Sequence, residues 1–269
     1  MALFGRNVIL RIGPEGGTGR DFQGFRITFD VRMSRASSPN TAMIEAYNLA
    51  AASVALAQGS DTVVELSVGY DVPRLIFRGN PVKNGVRLDR RGLDRVLRIE
   101  AQDGGRAYAE GRVAISFSTQ STITQVFDAI GAQLGVPLGT VRLPDGVVFP
   151  RALSLAGPAR DVLDRLAEST GSQWFIRDGA LQFLEADGDT GEQAVVFSAE
   201  AGNLVGSPTP TDDGIEVRAL LAPSMRPGKV FEVQSADYNG QYIAGDVQFR
   251  GDSGWDTSYY VITNGTPRG

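Results

Sequence analysis

The sequence predicts an α+β fold that is mainly β, in which two similar small β-barrel domains flank a mixed α/β middle domain. Three observations support this prediction: alternating hydrophobic residues towards both ends of the chain, two helical patterns in the middle, and an internal repeat between the ends. We place the N-terminal barrel at residues 1–111, the middle domain at 112–186 and the C-terminal barrel at 187–269.

The first segment alternates apolar and polar residues. The clearest run covers residues 25–33, as expected of a strand with one buried face. Similar runs cover 8–12, 42–47, 63–68, 75–77 and 96–101. Short strands separated by regular turn signals are typical of a sandwich or barrel. Residues 49–58 are rich in alanine and contain neither glycine nor proline, so they predict one short helix.

The middle segment contains two helical patterns. Thr122 precedes apolar residues at helical spacing, and Gly135 ends that pattern. A second helix is predicted after Pro158 and ends at Gly171. Strand-like runs accompany the helices at 113–117, 153–156, 173–176 and 181–184. This mixture predicts a small α/β domain.

Strand signals return after an acidic turn or linker at 185–191. They cover 195–197, 216–221, 230–234, 242–249 and 258–262. Residues 63–82 and 230–247 share an order of features: an alternating strand, a turn with a tyrosine, a second strand and a corner with glycine and valine. Their nearly equal spacing favours a duplicated barrel. The alternative is that two β-hairpins resemble each other by chance.

The composition excludes several kinds of active site. The chain has no histidine and no cysteine, so zinc sites built from these residues, Ser-His-Asp triads, Cys-His nucleophiles and disulfides are impossible. A net charge of -5 argues against a protein that binds nucleic acid through its phosphates. We expect no cofactor and no metal.

Two further motifs have features of ligand-binding sites. The glycine-rich run 13–19 lacks the Gly-Lys-Ser/Thr ending of a phosphate-binding loop, so we interpret it as a hairpin loop. Asp187, Asp189 and Glu192 carry oxygen ligands suited to calcium, but their spacing does not match the twelve-residue calcium loop. We interpret them as part of a solvated acidic linker.

Carboxylates are the only plentiful general acids and bases in this chain, as glycoside hydrolysis would require. A structural role is nevertheless favoured, because no sequence context predicts burial beside a second carboxylate. The candidates are Glu110, Asp145, Glu168, and Asp212 with Asp213.

An aromatic group lies near the C-terminus and comprises Trp255, Tyr259 and Tyr260. Such rings bind sugars, stack on bases or anchor protein interfaces. In an acidic chain, we favour a core or protein-interface role over base stacking. The N-terminus shows no charged leader followed by a long apolar run, and residues 50–57 are too short for a membrane helix, so we expect a soluble protein retained in the cytoplasm.

Several of these motifs together resemble the baseplate hub proteins of contractile-tailed bacteriophages, the tail hub or late control D-like family. The N-terminal barrel of those hubs is similar to segments 44–49, 69–71, 76–79, 103–104 and 106–108. Their middle region is similar to 113–117, 121–123 and 172–174. Their C-terminal barrel is similar to 220–228, 237–242 and 251–252.

The resemblance implies a structural, non-enzymatic protein of the virion tail baseplate, assembled in the bacterial host cytoplasm without membrane insertion. It implies a homotrimer in which each subunit supplies two tube-like barrels, giving a pseudo-sixfold ring. That ring would join the hexameric tail tube protein to the trimeric central spike protein, contact other baseplate proteins and let DNA pass through its lumen.

The sequence also leaves two alternative functions open. One is a tail-associated, carboxylate-based peptidoglycan hydrolase, which requires a cleft with two facing acids. The other is a receptor- or carbohydrate-binding module at the tail tip, for which exposed aromatic residues such as Trp255 would be the sign.

Overall fold

The computed structural model of the protein describes residues 5–143, 148–254 and 259–269. The helices are α1 (Ala51–Ala57), α2 (Gly105–Glu110), α3 (Ile123–Leu134) and α4 (Ala159–Thr170). The strands are β1 (Asn7–Pro14), β2 (Arg20–Phe22), β3 (Ile27–Met33), β4 (Thr41–Tyr47), β5 (Thr62–Gly69), β6 (Arg74–Arg91), β7 (Asp94–Gln102), β8 (Arg112–Phe117), β9 (Ser121–Thr122), β10 (Leu138–Arg142), β11 (Val148–Phe149), β12 (Leu153–Pro158), β13 (Ser172–Arg177), β14 (Ala180–Glu185), β15 (Val195–Ser198), β16 (Thr209–Thr211), β17 (Gly214–Leu220), β18 (Val230–Gln234), β19 (Asn239–Asp252) and β20 (Tyr259–Pro267).

One large sheet contains the described strands of the first and third segments. Its order is β16-β17-β20-β19-β3-β4-β7-β6-β5-β1-β2, and β18 joins β19 from the side and pairs with β15. The prediction of a mainly β, α+β protein is confirmed. The predicted closed barrels are not found: within the described ranges, the terminal strands β16 and β2 do not pair with each other, so the sheet is open.

The two ends of the chain meet where β3 pairs with β19. The strands are antiparallel, and their register runs from Met33 opposite Val247 to Thr28 opposite Asp252. Both segments contribute to one hydrophobic core, in which Phe29 and Phe249 are buried. Burial of large aromatic side chains from both strands stabilises this junction.

The middle segment has a separate core. Helices α3 and α4 contribute Phe127, Val162 and other buried residues, and Phe183 of β14 stacks on Phe127. Strand β14 pairs with β13 in an antiparallel hairpin and with β10 in parallel. Among the described residues, no helix is long and apolar enough to cross a membrane.

The two middle helices begin and end where their local signals predict. The Thr122 side chain accepts a hydrogen bond from the backbone N–H of Gln125, and the Gln125 side chain accepts one from the backbone N–H of Thr122. This reciprocal cap satisfies two N–H groups that the first helical turn leaves without partners. Gly135 and Gly171 end the helices with positive φ angles of 67° and 61°, which glycine adopts without steric cost.

Strand β6 and helix α2 are among the elements that differ from the sequence prediction. Strand β6 extends to Arg91, far beyond the predicted end at residue 77, because its second part pairs with β7 as a ribbon. All five residues from 87 to 91 are exposed, so the alternation that marks a half-buried strand is missing there. The short helix α2 has neither an acidic first turn nor a side-chain cap, so no local signal announces it.

The junction of β3 and β19 depends on a glycine. A Cβ atom placed on Gly251 would lie 2.4 Å from Cζ of Phe29 and 2.8 Å from Cδ2 of Tyr259. Both rings are buried, so they have little room to move. Gly251 therefore allows these two aromatic side chains to pack against the strand backbone.

We expect Gly251→Val to destabilise the protein by about 1–3 kcal/mol or more, because the added side chain overpacks the core between Phe29 and Tyr259. The urea concentration at half-unfolding measures this effect. The matched control is Arg250→Val, which introduces the same side chain at the neighbouring exposed position. Equal midpoints for the two variants would contradict the packing argument.

Candidate assembly surface

The carboxylates considered for catalysis lie exposed on different elements. Glu110 is on α2, Glu168 is on α4, and Asp212 and Asp213 form the turn between β16 and β17. Asp145 lies outside the described residues. A glycosidase needs two carboxyl groups that face each other across a cleft, and these separate, exposed positions do not provide such a pair.

Asp189 and Glu192 pair with cations, so for these two residues the interpretation as part of a solvated linker is wrong. Only 12 % of the Asp189 side chain is exposed, and its carboxylate oxygens lie 3.1 Å from Arg142 and 3.0 Å from Arg268. These partners come from the middle segment and from the C-terminus. Asp189 therefore ties two distant parts of the chain together.

Glu192 makes a second tie of this kind. Its carboxylate lies 3.1 Å from Arg177 and 3.3 Å from the buried Lys229. Burial alone would raise the pKa of Glu192, but the two cations hold it below its ordinary value. Asp187 is exposed. Across the described part of the chain, no cluster of three acidic side chains could hold a metal ion.

The predicted aromatic group has different environments at its described positions. Tyr259 is buried, and its hydroxyl accepts a hydrogen bond from the backbone N–H of Gly69 and donates one to the Gly69 carbonyl. Its ring packs edge-on against Tyr70 at 5.3 Å between centroids. Tyr260 is partly exposed, and Cζ of the Arg218 guanidinium lies 3.9 Å from the centroid of the Tyr260 ring. Trp255 lies outside the described residues.

Polar contacts reinforce the β3–β19 junction. The Arg26 guanidinium lies 2.7 Å from the carboxylate of Asp252, which is 3 % exposed. Burial alone would raise the pKa of Asp252, but hydrogen bonds from Arg26 and the Gly254 N–H hold it below its ordinary value. The Gln248 side chain donates to Asp30 at 2.8 Å. The two ends of the chain are thus joined by backbone pairing, aromatic packing and charge.

The turn at Asp178 and Gly179 joins the middle segment to the large sheet. The Asp103 carboxylate is 1 % exposed and accepts hydrogen bonds from the Gly179 N–H at 3.1 Å and from the Asn40 amide at 3.5 Å. Burial, followed by the nearby charge of Asp178, raises the pKa of Asp103 to about 7. Arg226 pairs with Asp178 at 3.1 Å. Nothing in the local sequence marks Asp103 as buried.

The internal repeat corresponds to two antiparallel hairpins, β5–β6 and β18–β19. Each hairpin continues into two further strands with the same connections: β6 pairs with β7 and β7 with β4, while β19 pairs with β20 and β20 with β17. The residues that pair across β6, β7 and β4 also correspond to those that pair across β19, β20 and β17. One row of paired residues is Val86, Ile99 and Ile44, and the other is Val247, Thr263 and Val217.

We expect Tyr259→Phe to lower the free energy of unfolding by about 1–2 kcal/mol, because it removes the hydrogen bonds to buried Gly69. Tyr260→Phe is the matched control and should change it by less than about 0.5 kcal/mol, as for most partly exposed positions. Urea unfolding measures both variants. A similar loss in both would show that the Tyr259 hydroxyl contributes little.

Asp103 should make the protein less stable as pH rises. Its pKa is about 7 in the folded chain, against the ordinary value of 3.8, so at intermediate pH the folded state holds a proton that the unfolded state has released. This contribution to the free energy of unfolding, a few kcal/mol, is fully present below pH 3.8 and is lost as pH rises through about 7.

The measurement is urea unfolding at pH 5 and pH 8 of the natural chain, Asp103→Asn and, as an exposed control, Asp213→Asn. Only Asp103→Asn should remove this part of the pH dependence. The same dependence in all three proteins would contradict the assignment to Asp103.

The sequence matches no protein-family model and no curated protein sequence. The fold is similar to that of the 43 kDa tail protein of prophage MuSo2 from Shewanella oneidensis, with a TM-score of 0.65 and 11% identity over 97% of this chain and 98% of that one. A tail protein from Neisseria meningitidis MC58 gives a TM-score of 0.63 and 10% identity, over 98% and 97% of the two chains.

An E. coli component of the type VI secretion system, described as structurally similar to the bacteriophage T4 tail proteins gp27 and gp5, gives a TM-score of 0.63 and 13% identity, over 91% of this chain and 74% of that one. At such low identity, the likeness concerns the fold. The chain therefore shares the fold of phage tail proteins and of a type VI secretion component.

Proposed function

We propose that this protein is a structural hub of a phage-type tail baseplate, in which three copies form a pseudo-sixfold ring that joins a hexameric tail tube to a trimeric central spike. The observation that carries the proposal is the pairing of two equivalent β halves, edge to edge, through β3 and β19. Three such chains supply six equivalent halves, which matches a sixfold tube above while keeping threefold symmetry below.

Residues 1–111 and 187–269 act as the two tube-like modules, and residues 112–186 form the domain between them. The large sheet leaves strand edges open at its ends, and assembly buries them. The similarity in fold to the tail proteins from Shewanella oneidensis prophage MuSo2 and from Neisseria meningitidis supports this structural role. In this role, the protein is assembled in the host cytoplasm and then forms part of a virion tail with a contractile sheath.

The partners of this hub are two further copies of the chain, the tube protein, the spike protein and other baseplate proteins. Trp255 and Tyr260 are proposed as contact residues, whereas Tyr259 acts by fixing the β20 strand from inside. A net charge of -5 favours a lumen that binds passing DNA only weakly. The protein does no chemistry in this role. The exposed positions of Glu110, Glu168 and Asp212 weigh against the hydrolase alternative.

The test is the mass of the purified protein in solution, measured by light scattering coupled to size exclusion, alone and with candidate spike and tube subunits. We expect a particle of three times the 28.7 kDa chain mass, either alone or on addition of the spike. A protein that stays monomeric and binds neither the spike nor the tube subunit would overturn the hub proposal. A cell-wall hydrolysis assay on the same sample tests the enzymatic alternative.

A further inference from the structure

We propose that the second part of β6, residues 86–91, pairs along its open edge with β16 of a neighbouring copy, in the register that β19 and β3 use within one chain. This inference rests on the proposed ring and names the contact that closes it. Four observations support it. One edge of β19 pairs with two strands, and β6 is built in the same way but lacks the second partner. The strand registers of the two halves correspond, and the two open edges carry complementary side chains.

Strand β19 offers one edge to two partners. Residues 239–243 pair with β18, and residues 247–252 pair with β3, while β20 occupies the opposite edge. A register shift between Ala244 and Val247 separates the two parts of the strand. The second part of β19 is thus where one β half accepts a strand from the other.

Strand β6 has the same construction, but its second part lacks the corresponding partner. Residues 74–79 pair with β5, and after a register shift between Pro81 and Val86 the strand continues along β7. Among the residues that the structure describes, no strand pairs with the other edge of 86–91. An open edge of this length is a template for pairing with another chain.

The agreement of registers identifies both the missing strand and its alignment. Val86 corresponds to Val247, because each lies in the same row of its own half. Strand β3 pairs with β4, and its counterpart β16 pairs with β17 at the end of the sheet. Transferring the β19–β3 register to these strands places Arg87 opposite Thr211, Leu88 opposite Pro210 and Asp89 opposite Thr209.

The partner of β6 has to be a second copy of the chain. In the described part of the chain, β16 pairs with β17 and residues 86–91 pair with β7, and no strand pair joins β16 to these residues. A pairing between β16 and residues 86–91 therefore joins two copies of the chain. A contact between different edges of identical chains is head-to-tail, and it either closes into a ring or continues as a filament.

The side chains on the two edges are complementary. Near the start of this open edge of β6 lie exposed Lys83 and Arg87, whereas the turn after β16 carries exposed Asp212 and Asp213. This arrangement places opposite charges at neighbouring positions across the proposed contact.

An apolar pair adds to the match. Leu88 is 47 % exposed in the single chain and would lie opposite Pro210, which is also exposed. Pairing would therefore cover apolar surface that the single chain leaves in water. Pro210 has no N–H, so the backbone hydrogen bond available at this pair runs from the Leu88 N–H to the Pro210 carbonyl.

The absence of natural cysteine permits a direct test by disulfide formation. In the double variant Arg87→Cys/Thr211→Cys, the two cysteines would face each other across the seam, at a Cα separation that a disulfide can span. Both positions are exposed, so the substitutions leave the core intact. The matched control is Arg87→Cys/Thr209→Cys, which moves the second cysteine by two residues on the same face of β16.

The double variants are oxidised in the samples used for the mass measurement, with and without the spike subunit, and separated on a non-reducing gel. We expect most Arg87→Cys/Thr211→Cys chains to be linked into species that end at the trimer, and only a trace of linkage in the control. A trimer by mass without this linkage, or with equal linkage in the control, would overturn the proposed seam and leave the hub standing. A linked ladder beyond the trimer would support the seam and overturn the closed ring, and an unlinked monomer would overturn both.

Discussion

The antiparallel pairing of β3 with β19 is the interaction on which the rest of this structure depends. It joins strands from opposite ends of the chain, and without it the large sheet would divide into two parts, each with an additional exposed edge. The contact combines three kinds of stabilisation: backbone hydrogen bonds, the buried rings of Phe29 and Phe249, and the ion pair between Arg26 and Asp252. The large sheet is therefore continuous from the first segment of the chain to the third.

Helices α3 and α4 could be predicted from the sequence because their signals are local. Thr122 caps the first helix, Gly135 and Gly171 end the two helices, and the apolar spacing between these points marks the buried face. Most strands of the first segment could be located for a similar reason, since one face of each is buried. Alternation marks the buried face of a strand without identifying its neighbour. The β3–β19 junction therefore depends on tertiary contacts that no local pattern contains.

The polar features that sequence reasoning missed share one cause. Asp189 and Glu192 look like members of a solvated linker until Arg142, Arg177 and Arg268 are brought to them from distant segments. Asp103 becomes buried because a turn of the middle segment covers it. The burial and charge of such residues are properties of the assembled segments, so they cannot be inferred from the neighbours of each residue in the chain.

The distance along the chain between β3 and β19 also affects how the protein folds. Arg26 and Asp252, which pair at this junction, are separated by 226 positions, so β3 is synthesised long before its partner strand exists. Contacts between such remote positions carry a large loop-closure cost and slow folding. Throughout translation, the completed N-terminal part presents the edge of β3 to its surroundings, where a β19 strand from another chain could occupy it. The order of synthesis thus leaves the edge of β3 available for exchange of this strand between copies until β19 of the same chain has been made.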